Sequence, residues 1–230
     1  MAFGRGKKVE EPPVEPVAWA NVYQFIVSNV ERPPTTKRKR AVFGPRAIRV
    51  PKNGRDYRVN APCAYLAPRS RSAEQPAEPG IALYEDPGAQ RLLCSVDAPN
   101  EVDGERHHTV RDGQGHIIGT LRRIPPRRPF RHTWRIDQPG HPEIIGRNEL
   151  GSGSSTAENV GRVAVVLALG LVGSAISGGD GGERSPRHRT LEWHADNKVV
   201  MTSQEGAEVK IPADWLDRRL AFAFAVLGDH

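Results

Sequence analysis

The sequence predicts a mainly β fold, an antiparallel closed β-barrel enclosing one hydrophobic C-terminal helix. Three observations predict it. Short β-branched and aromatic segments recur from about residue 81, and turn dipeptides separate them. The closing stretch, PADWLDRRLAFAFAVL, is apolar at every position from Leu220 to Leu227. A helix that is apolar on all sides has to be buried on all sides, and in a β protein of 230 residues the inside of a barrel offers that burial.

The elements follow in chain order. Residues 1–18 are charged and Pro-rich and read as a disordered tail. Trp19 to Val30, WANVYQFIVSNV, alternates and reads as a strand. Residues 31–40, ERPPTTKRKR, form a loop with a basic arm of Lys37, Arg38, Lys39 and Arg40. Short extended segments follow near 47–50 and 57–66. Residues 19–66 are therefore a β segment whose membership in the barrel the sequence leaves open. Residues 67–80, rich in Pro, Ser, Glu and Ala, are a linker.

The barrel domain proper is expected over 81–230. Its strands are IALYE, QRLLCSV, RHHTVRD, HIIGTLRR, RHTWRID, HPEIIGR, TLEWHA, KVVMTS and AEVKI. Asp112-Gly113-Gln114-Gly115, Gln138-Pro139-Gly140, Asp196-Asn197 and Glu205-Gly206 turn the chain between them. Residues 151–189 interrupt the pattern as an apolar insertion with Gly/Ser-rich flanks. Its uncharged run, Val163 to Ser177, falls short of the roughly 20 residues that a spanning helix needs. It is expected to pack on the protein or dip into a membrane face. Pro212 suits the first turn of the last helix and Asp214 favours its N-terminus. Trp215, Leu220, Phe222, Phe224 and Leu227 are its expected core residues.

Charge and cysteine content narrow the function classes. Net charge is +6, but residues 1–72 carry +10 and residues 73–104 carry −6. The basic third suits an anionic surface, either acidic lipid headgroups or nucleic acid, and also reads as a solvated arm. Only two cysteines occur, Cys63 and Cys94, which excludes a disulfide scaffold and a four-cysteine zinc site. No apolar run follows the basic start, and Ala2 stands where myristoylation needs glycine. The expected localisation is cytoplasmic, peripheral at the inner face of a membrane.

The combination of HTVRDGQGHIIGTLRR, FRHTWRIDQPGHPEIIG, EWHADNKVVMTSQEGAEVKI and the closing DWLDRRLAFAFAVL resembles the tubby C-terminal-like superfamily, which includes the phospholipid-scramblase-like and LURP-one-related families. The resemblance spans roughly residues 81–230, with a break at 150–189. It implies a closed barrel of about twelve strands threaded by a hydrophobic helix. It also implies association with lipid headgroups or membranes rather than a catalytic reaction. The chain departs from the family in having no cysteine cluster and no acidic calcium loop of scramblase type. The basic phosphoinositide pocket of tubby proteins cannot be aligned here residue by residue, so no site residue is carried over.

One cluster could recognise phosphate. Arg122, Arg123, Arg127, Arg128 and Arg131, with Arg135, lie in LRRIPPRRPFRHTWR, where prolines stiffen the link between two strands. Guanidinium forks match phosphate geometry. The alternative is a solvated loop with Arg135 pairing across a strand. His107 and His116 flank the DGQG turn and could face each other across it. No HExxH, P-loop, GxSxG or dinucleotide fingerprint occurs, so no catalytic residue, metal or cofactor is expected. The function expected is a non-enzymatic, lipid- or membrane-surface-associated binding module of unidentified ligand, with anionic membrane lipid as the candidate partner. A nucleic-acid-associated protein is the runner-up, opposed by 6% aromatic content without basic interleaving. A soluble scaffold is the third reading.

Overall fold

The structure, a computed structural model, describes residues 13–53, 58–67, 80–126, 133–148, 190–204 and 208–228. Among these residues thirteen strands form one antiparallel sheet. They are β1 (Gln24–Arg32), β2 (Val42–Asn53), β3 (Arg58–Leu66), β4 (Gly80–Tyr84), β5 (Leu92–Asp97), β6 (Asn100–Val102) and β7 (Glu105–Asp112). The rest are β8 (Ile117–Ile124), β9 (Thr133–Asp137), β10 (Ile144–Asn148), β11 (Thr190–Ala195), β12 (Lys198–Gln204) and β13 (Val209–Lys210). Neighbours run β5-β4-β3-β2-β1-β13-β12-β11-β10-β9-β8-β7, and β5 pairs back onto β7. That last pairing closes a twelve-stranded barrel, and β6 hangs outside it as a hairpin on β7. Closure leaves the ring without an open edge.

The N-terminal segment belongs to the ring. β1, β2 and β3 supply three of its twelve staves, and β1 meets β13 through Gln24↔Lys210 and Phe25↔Val209. The strand expected over residues 19–30 starts later. Trp19–Asn21 form a short 3-10 turn instead, and Trp19 Nε1 donates to Glu85 at 3.3 Å. The linker expected at 67–80 and the insertion at 151–189 fall almost wholly outside the described residues.

The one α-helix among the described residues, α1 (Arg218–Leu227), climbs through the barrel. It begins later than Pro212 and Asp214 suggested. Asp217 is the N-cap, and its carboxylate accepts from the Arg219 backbone N–H at 2.9 Å. Residues 211–217 run along the rim, where Gln138 holds them: its side chain donates to Trp215 O and accepts from the Asp217 N–H. Gln138 sits in the β9–β10 turn, so a distant hairpin sets where the helix starts. Leu220, Phe222 and Phe224 are buried as expected. Trp215 and Leu227 are only partly covered, because they lie at the two ends where the barrel opens. Trp215 precedes the helix and stacks on His141, ring centroids 4.6 Å apart.

Aromatic rings fill the space between helix and wall. Phe222 meets Phe25 edge-on at 4.9 Å, and Phe224 meets Trp134 at 5.5 Å and Trp193 at 4.5 Å. Such edge-to-face pairs contribute about 0.5–1.5 kcal/mol beyond their buried area. Gly119 of β8 marks the closest approach of wall and helix: a Cβ there would lie 2.5 Å from Asp137 O and 2.9 Å from a Leu220 methyl. The glycine lets the helix lie against the sheet.

Candidate functional site

Every neighbouring pair in the ring is antiparallel, so successive connections alternate between the two mouths. β1, β3, β5, β8, β10 and β12 all end at one mouth. The connections leaving there include 33–41 with the basic arm, 125–132 with the Arg-rich link, and 149–189 with the apolar insertion. Helix α1 also ends there, at Leu227. Three features scattered along the sequence thus leave from one end of the barrel. The opposite mouth holds the start of α1, the β7–β8 turn and the β9–β10 turn.

The basic arm is a hairpin tip. β1 and β2 pair at Val30↔Phe43 and Arg32↔Val42. Beyond Ala47, β2 has no partner in β3, and β1 meets β13 only at Gln24 and Phe25. Residues 30–32 and 42–46 are therefore a two-stranded ribbon projecting past the ring. Its loop is cinched by Thr35: the Thr35 N–H donates to Arg38 O at 2.7 Å, and the Thr35 hydroxyl accepts from the Arg38 N–H at 2.9 Å. Arg38 also donates to Pro33 O and is half-buried. Lys37, Lys39 and Arg40 are exposed, as is Arg46 behind them. Val42 is 41% exposed and Phe43 is 63% exposed.

A buried arginine roots the ribbon. Arg49 is fully buried and donates to Ser28 O (3.0 Å), Asn60 O (3.0 Å) and Pro45 O (2.7 Å), with Glu31 at 3.4 Å. Bulges interrupt the β1–β2 ladder between Ser28 and Arg32, beside this arginine. Asn60 adds a bond to Val30 O at 2.9 Å. Burying an arginine is tolerable when its donors are satisfied, and this one ties three strands together.

The Arg-rich link is divided. Arg122 points outward from β8 into carboxylates: Glu143 at 2.7 Å, Asp137 at 3.3 Å and Glu105 at 3.7 Å. Arg135 shares Glu143 at 3.0 Å, the cross-strand pairing foreseen as its alternative role. Burial pushes the Asp137 carboxyl up, while Arg122 and Arg135 pull it down. Arg123 lies over the Trp134 ring, 5.9 Å from its centroid. Arg127, Arg128 and Arg131 lie outside the described residues. His107 and His116 do not face each other. His107 is opposite Arg122 and contacts Glu105, whereas His116 contacts Asp112 at the far end of the hairpin.

Among the described residues no group of three metal-ligating side chains converges, and no helix is long and apolar enough to cross a membrane. Cys63 and Cys94 are free and buried, and burial pushes both thiols up to about 12. The sequence reading missed Val42, Phe43, Arg46 and Arg49. The run KRKRAVFGPR held the signal, an apolar pair directly behind a basic cluster. No family model, curated protein or solved structure matches the chain.

Proposed function

We propose that this protein is a non-enzymatic barrel that binds an anionic membrane surface with the mouth from which the basic ribbon projects. One observation carries the reading: antiparallel closure brings the basic tip at 37–40, the exposed Val42 and Phe43, and the strand ends flanking the apolar 149–189 segment to the same end. Basic residues beside an anionic leaflet contribute about 1 kcal/mol each. A closed antiparallel barrel threaded by its last helix is also the architecture that the tubby C-terminal-like resemblance implies, and the lipid reading is the one that goes with that resemblance.

The ends of the 149–189 segment bear on topology. β10 and β11 are paired up to Asn148↔Leu191, so the segment leaves and returns at neighbouring positions of one mouth. A single crossing would carry its ends to opposite sides of a bilayer about 30 Å thick. The reading is therefore peripheral attachment, at most with a dip into one leaflet.

Sedimentation with phosphatidylcholine vesicles containing 30% phosphatidylserine tests the proposal. Binding should fall steeply between 50 and 500 mM salt, because screening shortens the reach of surface charge. Absence of binding at low salt overturns the proposal. Retardation of RNA or DNA without vesicle binding would move the protein to the nucleic-acid class.

A further inference from the structure

Consecutive residues of a strand point to opposite faces, so one of each pair in a barrel wall normally faces the core. Yet Val42 and Phe43 are both exposed, in the part of β2 that lies beyond its pairing with β3. The ribbon is nonetheless held in place. Arg49 and Asn60 bond its root, and Thr35 closes its tip. Lys37, Lys39 and Arg40, in the loop directly before the apolar pair, are exposed as well. An aromatic ring and a branched aliphatic side chain next to a run of exposed cations match a bilayer whose headgroups are anionic and whose interior is apolar. Nucleic acid would use the cations and at most the one ring, leaving Val42 without a role.

Resting on the proposed lipid-surface function, we infer that the β1–β2 ribbon is the docking prong. Phe43 and Val42 enter the acyl boundary while Lys37, Lys39 and Arg40 contact headgroup phosphates. The barrel therefore approaches the membrane with this mouth first, and the mouth holding the β7–β8 turn faces away.

Environment-sensitive labels test the orientation. Cys63 and Cys94 are buried with poorly ionised thiols, so a dye reacts at an introduced surface cysteine. A nitrobenzoxadiazole label at Phe43→Cys should shift to the blue and be quenched by nitroxide lipids on vesicles with 30% phosphatidylserine. The same label at Ile117→Cys, exposed at the other mouth, should do neither. Phe43→Ser should lower vesicle partitioning about tenfold with the salt dependence kept. Lys37→Ala, Lys39→Ala and Arg40→Ala together should lower it about a hundredfold and flatten the salt dependence. Should vesicles bind wild type while the label at 43 stays in water, or the label at 117 shifts instead, the prong is wrong and the lipid function stands. Should wild type fail to bind vesicles, both fall.

Discussion

His108 is 8% exposed, and its ring lies 6.1 Å from that of Trp134 near the ribbon-bearing mouth. Burial lowers its pKa below the ordinary 6.5. A hydrogen bond to the Asp97 backbone opposes that shift, while the nearby Arg106, Arg123 and His107 add to it. The sign follows from proton counting. Below pH 6.5 the unfolded chain takes up a proton that the folded site refuses, so stability falls as pH drops through that value and is regained as pH rises. Urea titrations of wild type between pH 5 and 8 should show this slope, and His108→Asn should flatten it. An unchanged slope in the variant would assign the pH dependence elsewhere. The same local environment accounts for Arg123, whose guanidinium lies over Trp134 on the neighbouring strand. Composition could not separate it from Arg122, one position away. Alternation puts Arg122 on the outer face among three carboxylates and Arg123 beside the inner ring.

At the scale of elements, the hairpins were the most legible part. Asp196 and Asn197 both adopt positive φ, 46° and 63°, as a two-residue turn between β11 and β12 requires. The segment between β10 and β11 shows the converse case. Its flanking strands pair through Ile145↔His194, Gly146↔Trp193, Arg147↔Glu192 and Asn148↔Leu191. Replacing residues 149–189 with a four-residue Asn-Gly turn should therefore leave the barrel folded. The shorter closure should raise stability by about 2 kcal/mol, measured as an increase in the denaturant midpoint. Loss of cooperative unfolding would mean that the segment is part of the core. Helix α1 was legible in kind but not in start. Its apolar run is local, whereas its first residue depends on Gln138, some eighty positions earlier, gripping the chain before it.

Over the whole molecule, the first and last strands are adjacent. Residues 24 and 25 of β1 pair with 210 and 209 of β13, and Ile211 N–H donates to Tyr23 O at 2.8 Å. Closure therefore waits for contacts that span nearly the whole chain, which makes folding slow. Removing residues 1–32 deletes one stave and the Phe25 ring that meets Phe222. That truncation should give insoluble protein, or protein without a cooperative melt by circular dichroism. A soluble, cooperatively melting product would show that the C-terminal strands close by themselves. Local pattern determined that this chain makes short antiparallel strands, a closing apolar helix and a barrel to bury it, because alternation and all-round apolarity are properties of neighbouring residues. Only the tertiary structure decided that β1–β3 belong to the ring. It alone brought 37–40 and the strand ends flanking 125–132 and 149–189 to one mouth, and it alone left Val42 and Phe43 uncovered. Those outcomes depend on which strand pairs with which, and pairing across more than a hundred residues leaves no periodic trace in either partner.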